Sequence, residues 1–335
     1  MRNLVTGGAG FIGSHLVDAL LARGDEVCVL DNLSTGRTEN IVHHLSDPKF
    51  TLITRSILER EVVAEAVEAC DAVYHLAAAV GVKYIVTDPL QGIVTNVQGT
   101  ENVLAAACAH RRKVVLASSS EVYGKSTNVP LREDDDRVLG PTTVNRWSYA
   151  CCKAIDEHLA LAYAAKGLPV VVLRFFNAYG PRIHPNGYGS VVAQFIRQAL
   201  NGEPLTVHGD GQQTRCFTYV ADTVRGVLAA GNTPEANGRV FNVGSTSEVT
   251  ILALAHLIKA LTGSSSEVAR VPHEDYYGRS YEDTRRRVPD NTRMGEILGV
   301  RPVVPFEEGL RLTVAWCREH DFMAGVPRVS TTAPA

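Results

Sequence analysis

Residues 3–14, Asn-Leu-Val-Thr-Gly-Gly-Ala-Gly-Phe-Ile-Gly-Ser, place three glycines at intervals of three between an apolar strand and an amphipathic helix. A second apolar run, residues 27–30, ends at Asp31. In such a βαβ unit the glycines let backbone N–H groups and the helix N-terminus approach a pyrophosphate, and the acid binds a ribose 2′-hydroxyl. A tight turn without a ligand is the alternative interpretation. Asp31 would repel a 2′-phosphate, so we predict NAD rather than NADP, although Arg37 lies nearby.

Strand-like and helix-like segments continue to alternate after this unit. Apolar runs predict strands at residues 51–53, 72–75, 114–117, 170–173 and 240–244. Helical periodicity predicts helices at residues 14–23, 62–69, 99–110, 149–166, 191–201, 251–261 and 306–319, and from residue 221 onward. This alternation is typical of the α/β class with a doubly wound parallel sheet, the Rossmann arrangement.

Pro, Gly and Asn cluster after residue 176 and indicate a change of domain. We predict an NAD-binding Rossmann domain over residues 1–176, to which residues 216–244 return. Residues 177–215 and 245–324 would form a smaller C-terminal α/β substrate lobe. Residues 325–335, rich in Pro, Ser, Thr and Ala, are expected to be a disordered tail.

The composition is that of an ordinary soluble globular protein. Hydrophobic residues make up 45%, charged residues 21%, and the net charge is −3, which argues against nucleic acid or a membrane as a partner. The chain opens directly into a strand, and no apolar run is long enough to span a membrane, so we expect a cytoplasmic protein. The seven cysteines include no CxxC pair, so we expect buried thiols, no disulfide and no metal. The acidic residues 132–136 are expected to form a solvated loop.

A second pattern joins Ser118, Ser119 and Ser120 to Tyr149 and Lys153. The serines follow a predicted buried strand, at the sheet edge where open α/β folds bind ligands. Tyr149 and Lys153 are four residues apart and share a helix face. An ammonium about 4 Å from a phenol, at an effective dielectric of about 20, contributes about 4 kcal/mol. That would move the pKa of Tyr149 from about 10 towards about 7 before desolvation, and make it a base at neutral pH.

Together these motifs resemble the extended short-chain dehydrogenase/reductase family, which includes NAD-dependent sugar-nucleotide epimerases, dehydratases and decarboxylases. The resemblance includes residues 31–36 (DNLSTG), 75–78 (HLAA), 96–100 (NVQGT) and the YxxxK pattern. It implies that Tyr149 removes a proton from the hydroxyl on sugar carbon 4 while hydride passes to NAD, that Ser119 hydrogen-bonds this hydroxyl, and that Lys153 binds the nicotinamide ribose. It also implies a homodimer through a four-helix bundle made by the helices at 99–110 and 149–166. The cofactor-binding residues that it implies are Gly7, Gly10, Phe11, Ile12, Asp31, Asn32, Thr35, Gly36, Ile57, Leu76, Ala77, Ala78, Asn96, Ser118, Tyr149 and Lys153.

Within the family, the chain is most similar to the UDP-glucuronate decarboxylase branch. Ser120 stands where the 4,6-dehydratases carry a proton-delivering aspartate, so dehydration is disfavoured. Residues 119–121 (SSE), 146–151 (RWSYAC), 202–207 (GEPLTV) with 213–215 (QTR), and 277–281 (YGRSY) with 285–290 (RRRVPD) resemble this branch. The resemblance implies that Arg287 donates a proton to carbon 5 and that Glu121 and Arg146 handle the carboxylate. The substrate-binding residues that it implies are Ser120, Arg146, Asn177, Val191, Arg215 and Tyr281.

The leading hypothesis is therefore decarboxylation of UDP-glucuronate after NAD-dependent oxidation at carbon 4, giving UDP-xylose, UDP-4-keto-pentose or both. A 4-epimerase acting on a UDP-hexuronate or UDP-hexose is the alternative, because it shares the oxidation step. A catalytically silent NAD-binding regulator is disfavoured by the presence of Ser119, Tyr149 and Lys153. An apiose-forming variant is disfavoured because it typically has Cys at position 120.

Overall fold

The sheet and its helices are described by a computed structural model that covers residues 1–80, 88–184, 190–272 and 284–320. The strands within these ranges are β1 (Arg2–Thr6), β2 (Glu26–Leu30), β3 (Phe50–Ile53), β4 (Ala72–His75), β5 (Lys113–Ser119), β6 (Val170–Phe175), β7 (Ala178–Tyr179), β8 (Leu205–His208), β9 (Thr214–Cys216), β10 (Thr218–Tyr219), β11 (Arg239–Val243), β12 (Glu248–Thr250) and β13 (Val268–Val271). The α-helices are α1 (Phe11–Ala22), α2 (Arg60–Glu68), α3 (Pro89–Ala109), α4 (Ser148–Ala165), α5 (Val191–Asn201), α6 (Val220–Asn232), α7 (Ile251–Thr262), α8 (Thr292–Ile297) and α9 (Phe306–Glu319).

Seven strands form the central sheet in the order β11-β6-β5-β4-β1-β2-β3, and every pair in it is parallel. The predicted doubly wound sheet is confirmed, and so is the return of residues 240–243, which pair with β6. The remaining strands form three two-stranded ladders, β10-β7, β12-β9 and β13-β8. In the ranges that the structure describes, no helix has the length and hydrophobicity needed to cross a membrane.

Alternation along the strands builds an apolar layer on each face of the sheet. Leu4 and Leu116 belong to the layer that α2, α3 and α4 cover, whereas Val5 and Val115 belong to the layer that α1 and α6 cover. Because successive strand residues point to opposite faces, a one-residue register shift would exchange the two layers. Because the seven strands of the central sheet are parallel, their carboxyl ends lie at one edge of the sheet, where ligands bind in open α/β folds.

Helix α3 begins ten residues before its predicted start. Asp88 accepts a hydrogen bond from the backbone N–H of Gln91 (3.1 Å), and Pro89 occupies the first turn, which is a common start for a helix. The glycines at 92 and 99 obscured this helix in the sequence. At Gly99, an added Cβ would lie 2.3 Å from Cδ1 of Ile57, so the missing side chain is what lets α3 approach residue 57.

The acidic residues 132–136 are not uniformly solvated, so that expectation was wrong for Glu133. Its side chain is buried and accepts a hydrogen bond from the backbone N–H of Asn242 (2.8 Å), and its backbone oxygen accepts from Arg174 (2.9 Å). Asp134, in contrast, is 82% exposed. Glu133 thus ties the loop to the edge of the sheet.

Candidate active site

The glycine turn lies where β1 meets α1. Gly7 has a φ of +71°, and a Cβ there would lie 2.8 Å from the backbone nitrogen of Ala77. A Cβ on Gly13 would lie 2.1 Å from the oxygen of Gly7. Gly10 is the N-cap and offers no side chain, and the first N–H groups of a helix have no partner within it. A pyrophosphate can therefore approach Phe11 and Ile12 closely.

Asp31 follows β2, and backbone hydrogen bonds fix its carboxylate in a position that suits a ribose diol. Its Oδ2 accepts from the backbone N–H of Ala9 (3.0 Å) and its Oδ1 from that of Leu33 (2.8 Å). Burial raises the pKa of Asp31, against the lowering effect of these two hydrogen bonds. Asn32 is exposed and accepts from the backbone of Ser34 (3.1 Å). These residues, with half-buried Thr35, fit the NAD that the sequence predicts.

Replacing Gly36 with alanine is expected to weaken NAD binding at least about tenfold, because an added Cβ would lie 2.7 Å from Oδ2 of Asp31. Displacing this carboxylate removes a charge-assisted hydrogen bond of about 1.5–3 kcal/mol. Calorimetric titration with NAD measures the loss. The matched control is Gly92→Ala, where an added Cβ has nothing within 4 Å; equal loss in both variants would contradict the prediction.

The loop after β4 is held by Asn96, whose side chain receives from the backbone N–H of Ala79 (2.7 Å) and donates to its oxygen (3.1 Å). Asn96 therefore holds the backbone of Ala79, next to half-buried Leu76, Ala77 and Ala78, and its own contact with the cofactor stays a prediction. Ile57 is 5% exposed and packs on Gly99, and its contact with the cofactor stays a prediction.

The three serines at the end of β5 differ in burial and in hydrogen-bond partners. Ser118 is buried and donates to Oε1 of Glu157 (2.5 Å), which also pairs with Arg174. Ser120 is 2% exposed. Ser119 is half-buried, and its hydroxyl accepts from the backbone N–H of Glu121 (3.2 Å). Of the three hydroxyls, that of Ser119 is the one placed beside Tyr149.

Tyr149 and Lys153 both lie in α4, as predicted, but the predicted effect on the pKa was wrong. Burial raises the pKa of Tyr149, and the negative charges of Glu121 and Asp156 raise it further, while a hydrogen bond with Ser119 lowers it. Lys153 donates to the backbone oxygen of Ala117 (3.0 Å) and to Asp156 (3.2 Å). Its charge is thus neutralised by a carboxylate that the sequence analysis missed.

A buried polar chain continues behind Lys153. Nε2 of His75 lies 3.0 Å from the hydroxyl of Thr100, and Nδ1 lies 2.7 Å from the hydroxyl of Thr6. Burial raises the pKa of Asp156, against the lowering effects of Lys153 and of a hydrogen bond with Thr100. Burial, with the charge of Lys153, lowers the pKa of His75 to about 3, so its ring is neutral. The HLAA and NVQGT motifs, which contain His75 and Thr100, were the signals of these hydrogen bonds in the sequence.

A carboxylate between two guanidiniums forms the second half of the site. Glu121 lies 2.7 Å from Arg146 and 2.5 Å from Arg287. Although burial opposes it, the charges of Arg287 and Arg146 hold the pKa of Glu121 well below its ordinary value. Three distant sequence segments meet here, as the resemblance implied.

The basic run at 285–287 divides between solvent and site. Arg285 pairs with Asp210 (2.8 Å) and Arg286 pairs with Glu248, and both arginines are exposed. The side chain of Arg287 is only 4% exposed. Two of these arginines are therefore solvated, whereas Arg287 belongs to the site.

Of the predicted substrate contacts, Asn177 lies two residues after the end of β6. Asn177 has a φ of +29°, and its side-chain nitrogen is buried without a hydrogen-bond partner among the described residues. Arg215 donates to the backbone oxygens of Thr214 (2.8 Å) and Thr284 (2.7 Å). Val191 begins α5 and is half-buried. Tyr281 lies outside the described residues.

Comparison with known proteins places this geometry among sugar-nucleotide enzymes. A family profile described as the NAD dependent epimerase/dehydratase family matches residues 3–244. The UDP-N-acetyl-alpha-D-glucosaminuronate decarboxylase of Bacillus cytotoxicus is 46% identical, over 95% of this chain and 98% of the relative. UDP-glucuronic acid decarboxylase 1 of Xenopus tropicalis is 39% identical, over 95% of this chain and 72% of the relative. The structure of a UDP-glucuronic acid 4-epimerase from Bacillus cereus, in complex with UDP-glucuronic acid and NAD, superposes with a TM-score of 0.85 at 30% identity, covering 95% of this chain and 99% of that one.

Proposed function

This chain belongs to the NAD-dependent epimerase/dehydratase family, and from that membership we propose that it decarboxylates a UDP-hexuronate after oxidising sugar carbon 4. The observation that carries the proposal is the Arg146–Glu121–Arg287 cluster beside Tyr149. One carboxylate and two guanidiniums leave a net positive charge in a largely buried site. Such a site suits a substrate that brings a second carboxylate.

The residues fit the first step, oxidation. Tyr149 takes the proton from the hydroxyl on carbon 4, Ser119 orients that hydroxyl, and Lys153 binds the nicotinamide ribose. NAD, when bound, accepts the hydride and brings the positive charge of its nicotinamide ring. Burial raises the pKa of Tyr149, so the phenolate forms more readily when a positive charge lies near it.

The second step removes the carboxyl group. Oxidation at carbon 4 makes the carbon-6 carboxylate that of a β-keto acid, so breaking the bond between carbons 5 and 6 releases carbon dioxide and leaves an enolate. Carbon 5 then takes a proton. Glu121 is held ionised by its two arginines and is a poor acid, so we assign proton delivery to Arg287 and retention of the carboxylate to Arg146.

The test is incubation of the purified protein with UDP-glucuronate and, separately, with UDP-N-acetylglucosaminuronate, read by mass spectrometry. The second substrate is included because the relative named for it is 46% identical, against 39% for the one named for UDP-glucuronate. Loss of carbon dioxide is the expected result. The presence or absence of two further hydrogens distinguishes a reduced UDP-pentose such as UDP-xylose from a released UDP-4-keto-pentose.

A 4-epimerase is the second candidate function, because a UDP-glucuronic acid 4-epimerase shares this fold at a TM-score of 0.85. Unchanged mass with a new chromatographic peak would overturn decarboxylation in its favour. Tight NAD binding without turnover of any UDP-sugar would favour a silent regulator instead.

Replacing Asp156 with asparagine is expected to move the acidic limb of the pH profile of kcat/KM to lower pH. The negative charge of Asp156 raises the pKa of Tyr149, so its removal lowers that pKa and the phenolate persists in more acidic solution. The pH profiles of the two proteins measure the shift. An acidic limb that stays in place or moves to higher pH would contradict this role.

We also propose a homodimer built on α3 and α4. These helices pack against one another and expose apolar side chains: Leu90 is 72% exposed, Ile93 41% and Ile155 44%. An exposed apolar surface of this kind is typical of a subunit interface.

All seven cysteines, which lie within the described ranges, are free thiols, as in a reducing compartment. We therefore keep a cytoplasmic location as part of the proposal, which cell fractionation tests.

Replacing Ile155 with lysine is expected to convert the dimer to a monomer, because a buried charge at the interface would have no partner. Sedimentation velocity measures the change in mass. The matched control is Leu312→Lys on α9, where the leucine is equally exposed, at 43%. Dimers in both variants, or monomers in the unsubstituted protein, would contradict the interface.

A further inference from the structure

Two histidines and one aspartate meet on the outer side of α1, away from the proposed catalytic cluster. Asp18 lies in α1, and His43 and His44 lie in the short 3-10 helix Val42–His44. Nε2 of His43 is 3.1 Å from Oδ1 of Asp18, and Nε2 of His44 is 2.7 Å from the same oxygen. The three ligand atoms all lie within 4.8 Å of one another.

We propose that Asp18, His43 and His44 bind a divalent transition-metal ion of the zinc class. Two imidazoles and a carboxylate are the donor set that zinc and its neighbours prefer. In a tetrahedral site with bonds of about 2.0–2.2 Å, ligand atoms are separated by about 3.3–3.5 Å. The distance from Oδ1 of Asp18 to Nε2 of His43 is about 0.2–0.4 Å shorter than that separation, and the distance to Nε2 of His44 is about 0.6–0.8 Å shorter. Side-chain shifts of less than about 1 Å would therefore admit the ion.

The surroundings hold the ligands in place. Arg182 lies 2.8 Å from Oδ2 of Asp18, which leaves Oδ1 directed at the rings, and hydrogen-bonded carboxylates of this kind are common around metal sites. The ring of His44 packs against Phe50, with centroids 5.8 Å apart, and its side chain is 16% exposed. The side chain of His43 is 46% exposed, so an ion can enter from solvent and keep water in its remaining position.

A bound ion would link α1 to residues 42–44, which follow the predicted ribose-binding residues 31–36 in the chain. Asn40, two residues before this short helix, donates to the backbone oxygen of Ala9 in the glycine turn (2.9 Å). Arg182, which pairs with Asp18, connects the cluster to the segment that follows β7. The ion would therefore act as a structural clip and take no part in the reaction. It was not expected from the sequence, where cysteines alone were considered as ligands.

The experiment titrates the chelator-treated, full-length protein with Co²⁺ and follows visible absorption, then displaces the ion with Zn²⁺. We expect one ion to bind per chain with a tetrahedral or five-coordinate spectrum. His43→Ala and Asp18→Asn should each weaken binding at least tenfold. Zn²⁺ should raise the melting temperature of the unsubstituted protein, since a ligand that binds only the folded state stabilises it, and should not raise that of His43→Ala.

The matched control is His256→Ala, on α7, which removes an exposed histidine outside the cluster. It should bind Co²⁺ like the unsubstituted protein. His43→Ala removes a ring that is nearly half exposed, and the variant's own melting curve establishes that it is folded. Equal Co²⁺ binding by His43→Ala and the unsubstituted protein would overturn the proposal, and so would absence of binding to the unsubstituted protein.

Discussion

Replacing Tyr149 with phenylalanine is expected to lower turnover of the UDP-hexuronate by about 10²–10⁴-fold, the range attributed to a positioned acid–base group. The phenol is placed with Ser119, and carbon 4 cannot lose hydride until its hydroxyl proton has a destination. The variant keeps the ring and loses one oxygen, so the packing of α4 should be preserved. Steady-state kinetics measure the effect on kcat, and NAD titration establishes that the cofactor still binds.

The control for Tyr149→Phe lies on the same helix. Tyr163 donates to Glu101 (3.1 Å) outside the site, so Tyr163→Phe should retain nearly full activity. If Tyr149→Phe kept kcat within a factor of a few of the unsubstituted enzyme, another group would have to be the base. If the Tyr149→Phe variant also lost NAD binding, the main role of Tyr149 would be to bind the cofactor.

Replacing Arg287 with glutamine is expected to abolish decarboxylation and to lower the free energy of unfolding by up to about 3–5 kcal/mol, the cost of removing one partner from a buried ion pair. The side chain of Arg287 is 4% exposed and that of Glu121 is 20% exposed, so little water can replace the guanidinium. Arg146 remains beside Glu121 at 2.7 Å and moderates the cost. Chemical denaturation and carbon dioxide release measure the two effects separately.

A triple variant separates catalysis from folding at this position. Arg146→Gln, Glu121→Gln and Arg287→Gln together remove all three charges of the cluster, so no buried charge is left unpaired and most of the stability should return while decarboxylation stays lost. Recovery of activity along with stability would make Arg287 a purely structural residue. The matched single control is Arg286→Gln, whose pair with Glu248 is exposed, so the variant should change stability little and leave the rate unchanged.

Local patterns were sufficient for the family, the sheet and the cofactor. Three glycines between a strand and a helix predict the turn, because close approach of the backbone is a property of the glycines themselves. The matched family confirms that prediction and the NAD cofactor, and the parallel sheet confirms the alternation of strands and helices. Where the pattern was weak, the boundaries were wrong, as in α3, whose glycine at 99 is explained by a side chain 42 residues earlier in the chain.

The charge states of the site depended on tertiary structure. The YxxxK spacing correctly placed Tyr149 and Lys153 on one helix, but the pKa of the phenol followed its burial and the nearby Asp156, which spacing does not reveal. The run at 285–287 looks like three equivalent arginines in sequence, and only packing against Glu121 distinguishes Arg287. Likewise, nothing in the sequence links Asp18 to the two histidines that lie against it.

Local spacing and the backbone freedom of a few glycines were enough to predict the family, the doubly wound sheet, the NAD cofactor and the helix that Tyr149 and Lys153 share. Tertiary structure alone decided which charges are buried, which partners they have and which side chains merely support the site. The physical reason is that burial and pairing depend on residues brought together by the fold, from strands and loops that are far apart along the chain.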